Sequence, residues 1–434
     1  MPNFERYIDL PYKHKGEKIQ EEIPREAGKD KLESKVEELK EIKRQKSGEM
    51  SVDAKERKIY MDEAKVNSVD YLDEDGISKA VRSGVVATNG KLVGEFEKRI
   101  SEFLRIPEAV AVNSGTSALH LALLACGVGR GDEVIVPDLT FIATANAVAY
   151  TGAVPVIVPV NSKTWCLDKR CLRHITTRTK AIIGVSLFGN PCDWARIIPP
   201  ARRRGIAVIE DASQAFGTRY EGKYFTKGLS YQCFSFNGNK TITTGSGGLV
   251  VGPNLDHVRY LADIARERGL PQGLGYNYNM TNLSAGLGIS QLKRAWKFFA
   301  AKRVISDIYL DKLGRDLVFQ EAQEDSAPLW WMNAVYLPWE VPGIDRIFKE
   351  VPTKRMYRPF SKQSAPYLMS LGMSKAKAWS VKERGENQGG LFNTSRKLFL
   401  RGFCLPSSVR NRESDIFFVC DEIKRRLKHK HANK

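Results

Sequence analysis

The chain has 434 residues, 42% hydrophobic and 27% charged; this is enough for a large domain plus a smaller one, and it excludes a short disulfide-held fold. No run approaches the roughly 18 apolar residues that span a bilayer, and the first residues carry no apolar signal stretch, so the expectation is a soluble, cytoplasmic protein with no membrane partner. The net charge of +18 is unevenly placed: residues 1–66 hold 16 basic and 16 acidic side chains, so the whole excess lies further on. With no helix-turn-helix, zinc or RNP pattern behind it, that excess points to solvated faces or an anionic substrate rather than to a specific nucleic acid.

In chain order, residues 1–66 are nearly half charged. The stretch Lys31–Lys46 places apolar residues only at Leu32, Val36, Leu39 and Ile42, too few heptads for a coiled coil. A flexible extension is expected there. Asp73 to Leu104 reads as helix, loop and helix, broken at Gly84 and Asn89-Gly90. Short apolar strands and amphipathic helices then alternate. Strands are expected at Ala109–Val112, Glu133–Val136, Val154–Val158, Ala181–Leu187 and Ala207–Glu210, with helices at Ser117–Cys126, Ala143–Tyr150 and Trp194–Arg204. Such alternation implies a mostly parallel sheet covered on both faces, to which Gln232–Phe236 and Gly248–Val251 add strands. A long helical stretch beyond Gly286 leads to a mixed region with Trp330 and Trp331 and a last amphipathic helix near Ile416–Leu427. The expected division is 1–66, a large domain at 67–300 and a smaller one at 301–434. The seven cysteines form no CxxC pair, which fits reduced core thiols and no metal site.

Three segments carry chemistry. Asn113-Ser114-Gly115-Thr116-Ser117 opens an apolar helix after a strand; small residues there leave backbone N–H groups at the positive helix end for a phosphate, although Ser and Thr also serve as ordinary N-caps. Val208-Ile209-Glu210-Asp211-Ala212-Ser213-Gln214 delivers acids at a strand's carboxyl end, the rim where open α/β sheets bind ligands. Asp211 could hold a protonated pyridine nitrogen there, or be an N-cap, a surface acid or a magnesium ligand. Phe234-Ser235-Phe236-Asn237-Gly238-Asn239-Lys240 leads through small and polar residues to Gly247-Gly248. Lysine forms imines with aldehydes, and a partly desolvated site makes it a nucleophile and proton shuttle; most loop lysines are surface charges.

Together these segments resemble the DegT/DnrJ/EryC1/StrS family of sugar aminotransferases, pyridoxal-phosphate (PLP) enzymes of fold type I. The resemblance runs from about Asn67 to the C-terminus and includes Gly129–Pro137, Thr140–Asn146, Leu187-Phe188-Gly189-Asn190-Pro191 and Gly275–Leu283. It implies that Lys240 carries PLP as a Schiff base and is the catalytic residue. It also implies that Gly115, Thr116 and Ser235 hold the phosphate, Phe141 stacks on the ring, Asp211 pairs with the ring nitrogen and Gln214 sits near the ring oxygen. Asn277 would reach across a homodimer to the neighbouring phosphate, giving shared sites and an inactive monomer. Four positions depart from the pattern: Ser186 where histidine is common, Ser246 where glutamate is usual, Asn279 where arginine is frequent and Ser230 where aspartate is frequent. Lys240 separates the chain from the family's dehydratases, in which histidine replaces the lysine. Arg358-Pro359-Phe360 and Gly402–Ser408 resemble members acting on GDP- or UDP-linked 4-keto-6-deoxyhexoses, with glutamate the usual amino donor. The competing reading is a regulatory protein that keeps fold and PLP without transaminase activity; the intact Lys240, Asp211 and Gly115-Thr116 argue against it.

Overall fold

A computed structural model describes residues 69–431 apart from 89, 265, 268–269, 272, 340–350, 352 and 387–391. The expected flexible extension therefore lies outside the described residues, as does Asn89. Helices α1 (Glu74–Arg82) and α2 (Lys91–Leu104) come first, and Gly90 lets α2 start hard against Asn282, whose Oδ1 accepts the Leu92 N–H at 2.9 Å.

The centre is a seven-stranded sheet built from β1 (Val110–Val112), β2 (Glu133–Pro137), β3 (Val154–Val158), β4 (Thr179–Val185), β5 (Ala207–Asp211), β6 (Tyr231–Ser235) and β7 (Gly248–Val251). Their order is β1-β7-β6-β5-β4-β2-β3. Only β7 runs antiparallel to its neighbours; the pairs among β2, β3, β4, β5 and β6 are parallel. The near-continuous apolar runs of β1, β2 and β4 match burial on both faces: every residue of β1 and β2 is buried.

Helices α3 (Gly115–Ala125), α4 (Ala143–Tyr150) and α5 (Trp194–Arg202) supply crossovers, and α6 (Leu255–Ala262) follows β7. Helix α3 begins two residues before the expected Ser117, because Ser114 caps it by accepting the Ser117 N–H at 3.1 Å. Helix α5 stops two residues short of the expected Arg204, where Gly205 turns the chain at φ +68°.

The long helical stretch expected after Gly286 consists of two helices, α7 (Asn282–Lys293) and α8 (Ala295–Leu313). The break at Arg294 (φ −109°, ψ 1°) turns its guanidinium onto Asp70 at 2.8 Å and Asp73 at 2.6 Å. Four further strands, β8 (Val318–Phe319), β9 (Asn333–Tyr336), β10 (Lys354–Arg355) and β11 (Gly402–Leu405), form an antiparallel sheet in the order β8-β9-β11-β10. It packs with α8 and the last helix, α12 (Glu413–His431), after α9 (Ala365–Ser370), α10 (Lys375–Glu386) and α11 (Asn393–Arg401). Position 300 falls inside α8. All seven thiols are free and six are buried; burial pushes the half-buried Cys126 up to about 12. Among the described residues no helix is long and apolar enough to cross a membrane.

Candidate active site

The carboxyl ends of β5 and β6 meet the start of α3 on the rim where open α/β sheets bind ligands. Gly115 opens α3, so its N–H and that of Thr116 belong to the first turn, which has no intrahelical partner. A Cβ on Gly115 would stand 2.7 Å from Ser235 Cβ, 3.1 Å from Ser213 Oγ and 3.2 Å from Ser235 Oγ. Helix start and two hydroxyls therefore form a cradle that only glycine leaves open. Its donors and the helix dipole suit a phosphate.

Asp211 ends β5 and is buried. Its carboxylate accepts from Thr144 Oγ1 at 2.8 Å and from the Ser213 N–H at 3.1 Å, so its direction is fixed. The preceding acid, Glu210, is bonded by Ser186 Oγ and, at 2.9 Å, by Gln232 Nε2. Burial, offset by those bonds and reinforced by the Asp211 charge, raises it to about 7.

Gln214 takes the Phe188 N–H at 2.8 Å, and its Nε2 lies 3.4 Å from the Tyr357 hydroxyl. Phe188 adopts φ +56°, a region costly for a residue with a Cβ, and its ring stacks on Tyr357 with centroids 5.7 Å apart and planes 10° apart. Phe141 leans on the same Tyr357 at 5.9 Å and is 54% exposed, so its ring offers a face to a partner. Burial pushes the Tyr357 phenol far above its ordinary value. It is a neutral packing ring here.

Lys240 lies in the loop between β6 and β7, half-buried, its N–H on Asn237 O at 3.0 Å. Its ammonium sits 4.3 Å from the centroid of the Trp331 ring. The structure thus links Gly115, Thr116, Phe141, Asp211, Gln214, Ser235 and Lys240 along one rim. Asn277 stands apart: it is exposed, and its carbonyl accepts from Asn113 Nδ2 at 3.3 Å, just before the cradle.

Sequence reasoning passed over Ser213, Thr144, Phe188, Tyr357 and Trp331 as site residues. Ser213 and Thr144 stood inside the motifs. Tyr357 and Trp331 come from distant segments and carried no local signal. The four departures all have partners: besides Ser186, Ser246 Oγ bonds Asn113 O at 2.8 Å, Asn279 bonds Asp263 at 2.8 Å and Ser230 Oγ accepts the Val208 N–H at 3.2 Å. A separate cavity of about 310 Å³, lined by Asn161, Lys163, Asp168, Arg170 and Glu321 among others, shares no residue with this rim.

Residues 69–424 match the DegT/DnrJ/EryC1/StrS aminotransferase family. The chain belongs to that family. It is a PLP-dependent sugar aminotransferase of fold type I, and the cradle, the buried Asp211 and the loop lysine fit that cofactor's phosphate, ring nitrogen and aldehyde. The chain is 38% identical to GDP-perosamine synthase of Escherichia coli O157:H7 over 279 residues, covering 61% of this chain and 74% of that one. It is 32% identical over 360 residues to EpsN of Bacillus subtilis strain 168, described as a candidate pyridoxal phosphate-dependent aminotransferase, covering 78% of this chain and 89% of that one. The crystal structure of S. venezuelae DesV is similar with a TM-score of 0.71 at 27% identity, covering 81% of this chain and 93% of that one.

Proposed function

We propose that this aminotransferase moves an amino group from glutamate to a GDP- or UDP-linked 4-keto-6-deoxy sugar for polysaccharide synthesis, working as a homodimer with shared sites. The carrying observation is the cradle that a Gly115 Cβ would fill, closed by Ser213 and Ser235. It lies on the same rim as an oriented Asp211 and the loop lysine. The name of the E. coli relative supports a GDP-linked substrate.

Bound PLP supplies an electron sink for the bonds at the donor's α-carbon. The protein's own residues do the rest. Gly115 and Thr116 offer backbone N–H groups, and Ser213 and Ser235 hydroxyls, to the phosphate. Asp211, fixed by Thr144 and Ser213, would face the ring nitrogen and favour its protonated form. Phe141 holds one face of the ring, and Gln214 orients beside its oxygen. Lys240 would hold the cofactor through Nζ, and the same amine, once free, would carry the proton at the α-carbon in both halves of the reaction. Asn277, exposed beside Asn113, would reach the partner subunit's phosphate. The reading retains the division at 1–66, 67–300 and 301–434, the four-stranded sheet lending support to a smaller C-terminal domain.

The test is an absorbance spectrum of purified protein with and without glutamate, beside Lys240→Ala. Wild type should show a band near about 400–430 nm that glutamate removes, and the variant should lack it. A panel of nucleotide-linked keto-sugars then selects the acceptor. No band after PLP is supplied would sink the proposal.

A further inference from the structure

The ring beneath Lys240 is held with unusual care for a residue outside the motifs. Trp331 is 2% exposed, and each of its polar groups is engaged: the indole N–H donates to Asn239 O at 2.7 Å, the backbone N–H to Phe188 O at 2.9 Å, and the carbonyl accepts from Lys302 Nζ at 2.8 Å. Lys302 is itself a buried lysine, also 2% exposed, whose ammonium bridges to Ser407 O at 2.6 Å. A buried ammonium is retained only where it is well bonded, and this one fixes the position of a tryptophan. Gly189, at φ +105°, permits the approach: a Cβ there would lie 2.1 Å from Leu329 O and 3.3 Å from Trp331 N.

These contacts converge on one outcome, an indole face fixed 4.3 Å from the Lys240 ammonium, inside the distance at which a ring quadrupole attracts a cation. We infer that Trp331 is a positioning residue for Lys240: its ring is the seat the amine occupies whenever it is not covalently engaged, and Lys302 holds that seat in place. A ring face favours the ammonium over the neutral amine, so Trp331 sets both where Lys240 waits and how readily it gives up its proton. The titratable groups packed around the seat are Lys302 on the Trp331 carbonyl, Tyr357 stacked on Phe188, and Asp211, whose charge acts on Tyr357.

The inference rests on Lys240 as the reactive amine of the proposed function, yet its test needs neither turnover nor bound cofactor. Full-length protein freed of PLP is pulse-acetylated with acetic anhydride across a pH series, and the Lys240 peptide is quantified by mass spectrometry. Trp331 is replaced site-specifically by mono-, di- and tetrafluorotryptophan, which keep the ring's shape while withdrawing charge from its face. The pH of half-maximal labelling should fall stepwise along the series, by about one unit in total. Trp331→Leu should reach a similar fall and Trp331→Phe should restore part of it. A midpoint that stays constant through the fluorinated series overturns the inference, even if Trp331→Leu does not fold, and leaves the assignment of Lys240 to be judged by its own spectrum.

Discussion

Gly115→Ala measures how tightly the cradle is built. Carbon atoms in ordinary contact stand about 3.5–4.0 Å apart, whereas the new Cβ would lie 2.7 Å from Ser235 Cβ, with the Ser213 and Ser235 hydroxyls at 3.1 and 3.2 Å. Relief requires the start of α3 to back away from the end of β6 by close to an ångström, or the two hydroxyls to turn aside. Either movement spoils the donors aimed at the phosphate. Overpacking of this kind costs the fold about 1–3 kcal/mol; the phosphate loses a donor worth about 1.5–3 kcal/mol, and at about 1.4 kcal/mol per decade PLP should bind roughly tenfold to a hundredfold more weakly. Removing a glycine from the unfolded chain returns about 0.4–1 kcal/mol, so the cofactor-free protein should keep most of its stability while affinity falls. Protein freed of PLP, titrated with PLP and followed by absorbance, gives the dissociation constant; denaturant unfolding gives the stability. Affinity unchanged from wild type would show that the phosphate does not use this cradle.

Gly94 supplies the opposite case. It lies inside α2 with nothing within 4 Å of a built Cβ, so Gly94→Ala should raise unfolding stability by about 0.5–1 kcal/mol and leave PLP affinity alone; a loss of stability in urea would contradict it. Glu210, held at about 7 chiefly by burial, binds its proton more tightly folded than unfolded. Its contribution is therefore complete below the ordinary carboxylate range and is lost as pH rises from about 4.5 through about 7, on the order of 3 kcal/mol in all. Glu210→Gln copies the protonated acid, the amide N–H facing Ser186 and the amide oxygen facing Gln232. Its urea-unfolding stability should change less between pH 5 and 8 than that of wild type, and equal slopes would refute the assignment.

The central sheet was legible because it obeys local rules. Apolar runs alternating with helices point to buried strands of a mostly parallel sheet, and β3, β7 and α4 fall on the expected residues. Where boundaries moved, side-chain chemistry moved them: the Ser114 cap drew α3 back to Gly115, and Arg294, turning to Asp70 and Asp73, divides the helical stretch in two. The site was legible as far as it lay in strand-end motifs. Trp331 and Tyr357 were not, since no spacing relates them to Lys240 or Gln214. They arrive from beyond residue 330, through a backbone kink at Phe188 and a buried lysine on α8, and only the packed chain brings them together.

The neighbouring acids Glu210 and Asp211 show why one strand end serves two purposes. Successive side chains on a strand point to opposite faces. Asp211 meets two donors, the Thr144 hydroxyl and the Ser213 N–H, which orient it. Glu210 meets a hydroxyl and a single amide donor in full burial, and the Asp211 charge beside it opposes a second one. Two carboxyls one residue apart thus meet different surroundings: two donors orient Asp211, and burial raises Glu210 to about 7. At position 186 a hydroxyl, and not a cation, offsets the burial of Glu210, which therefore stays raised to about 7.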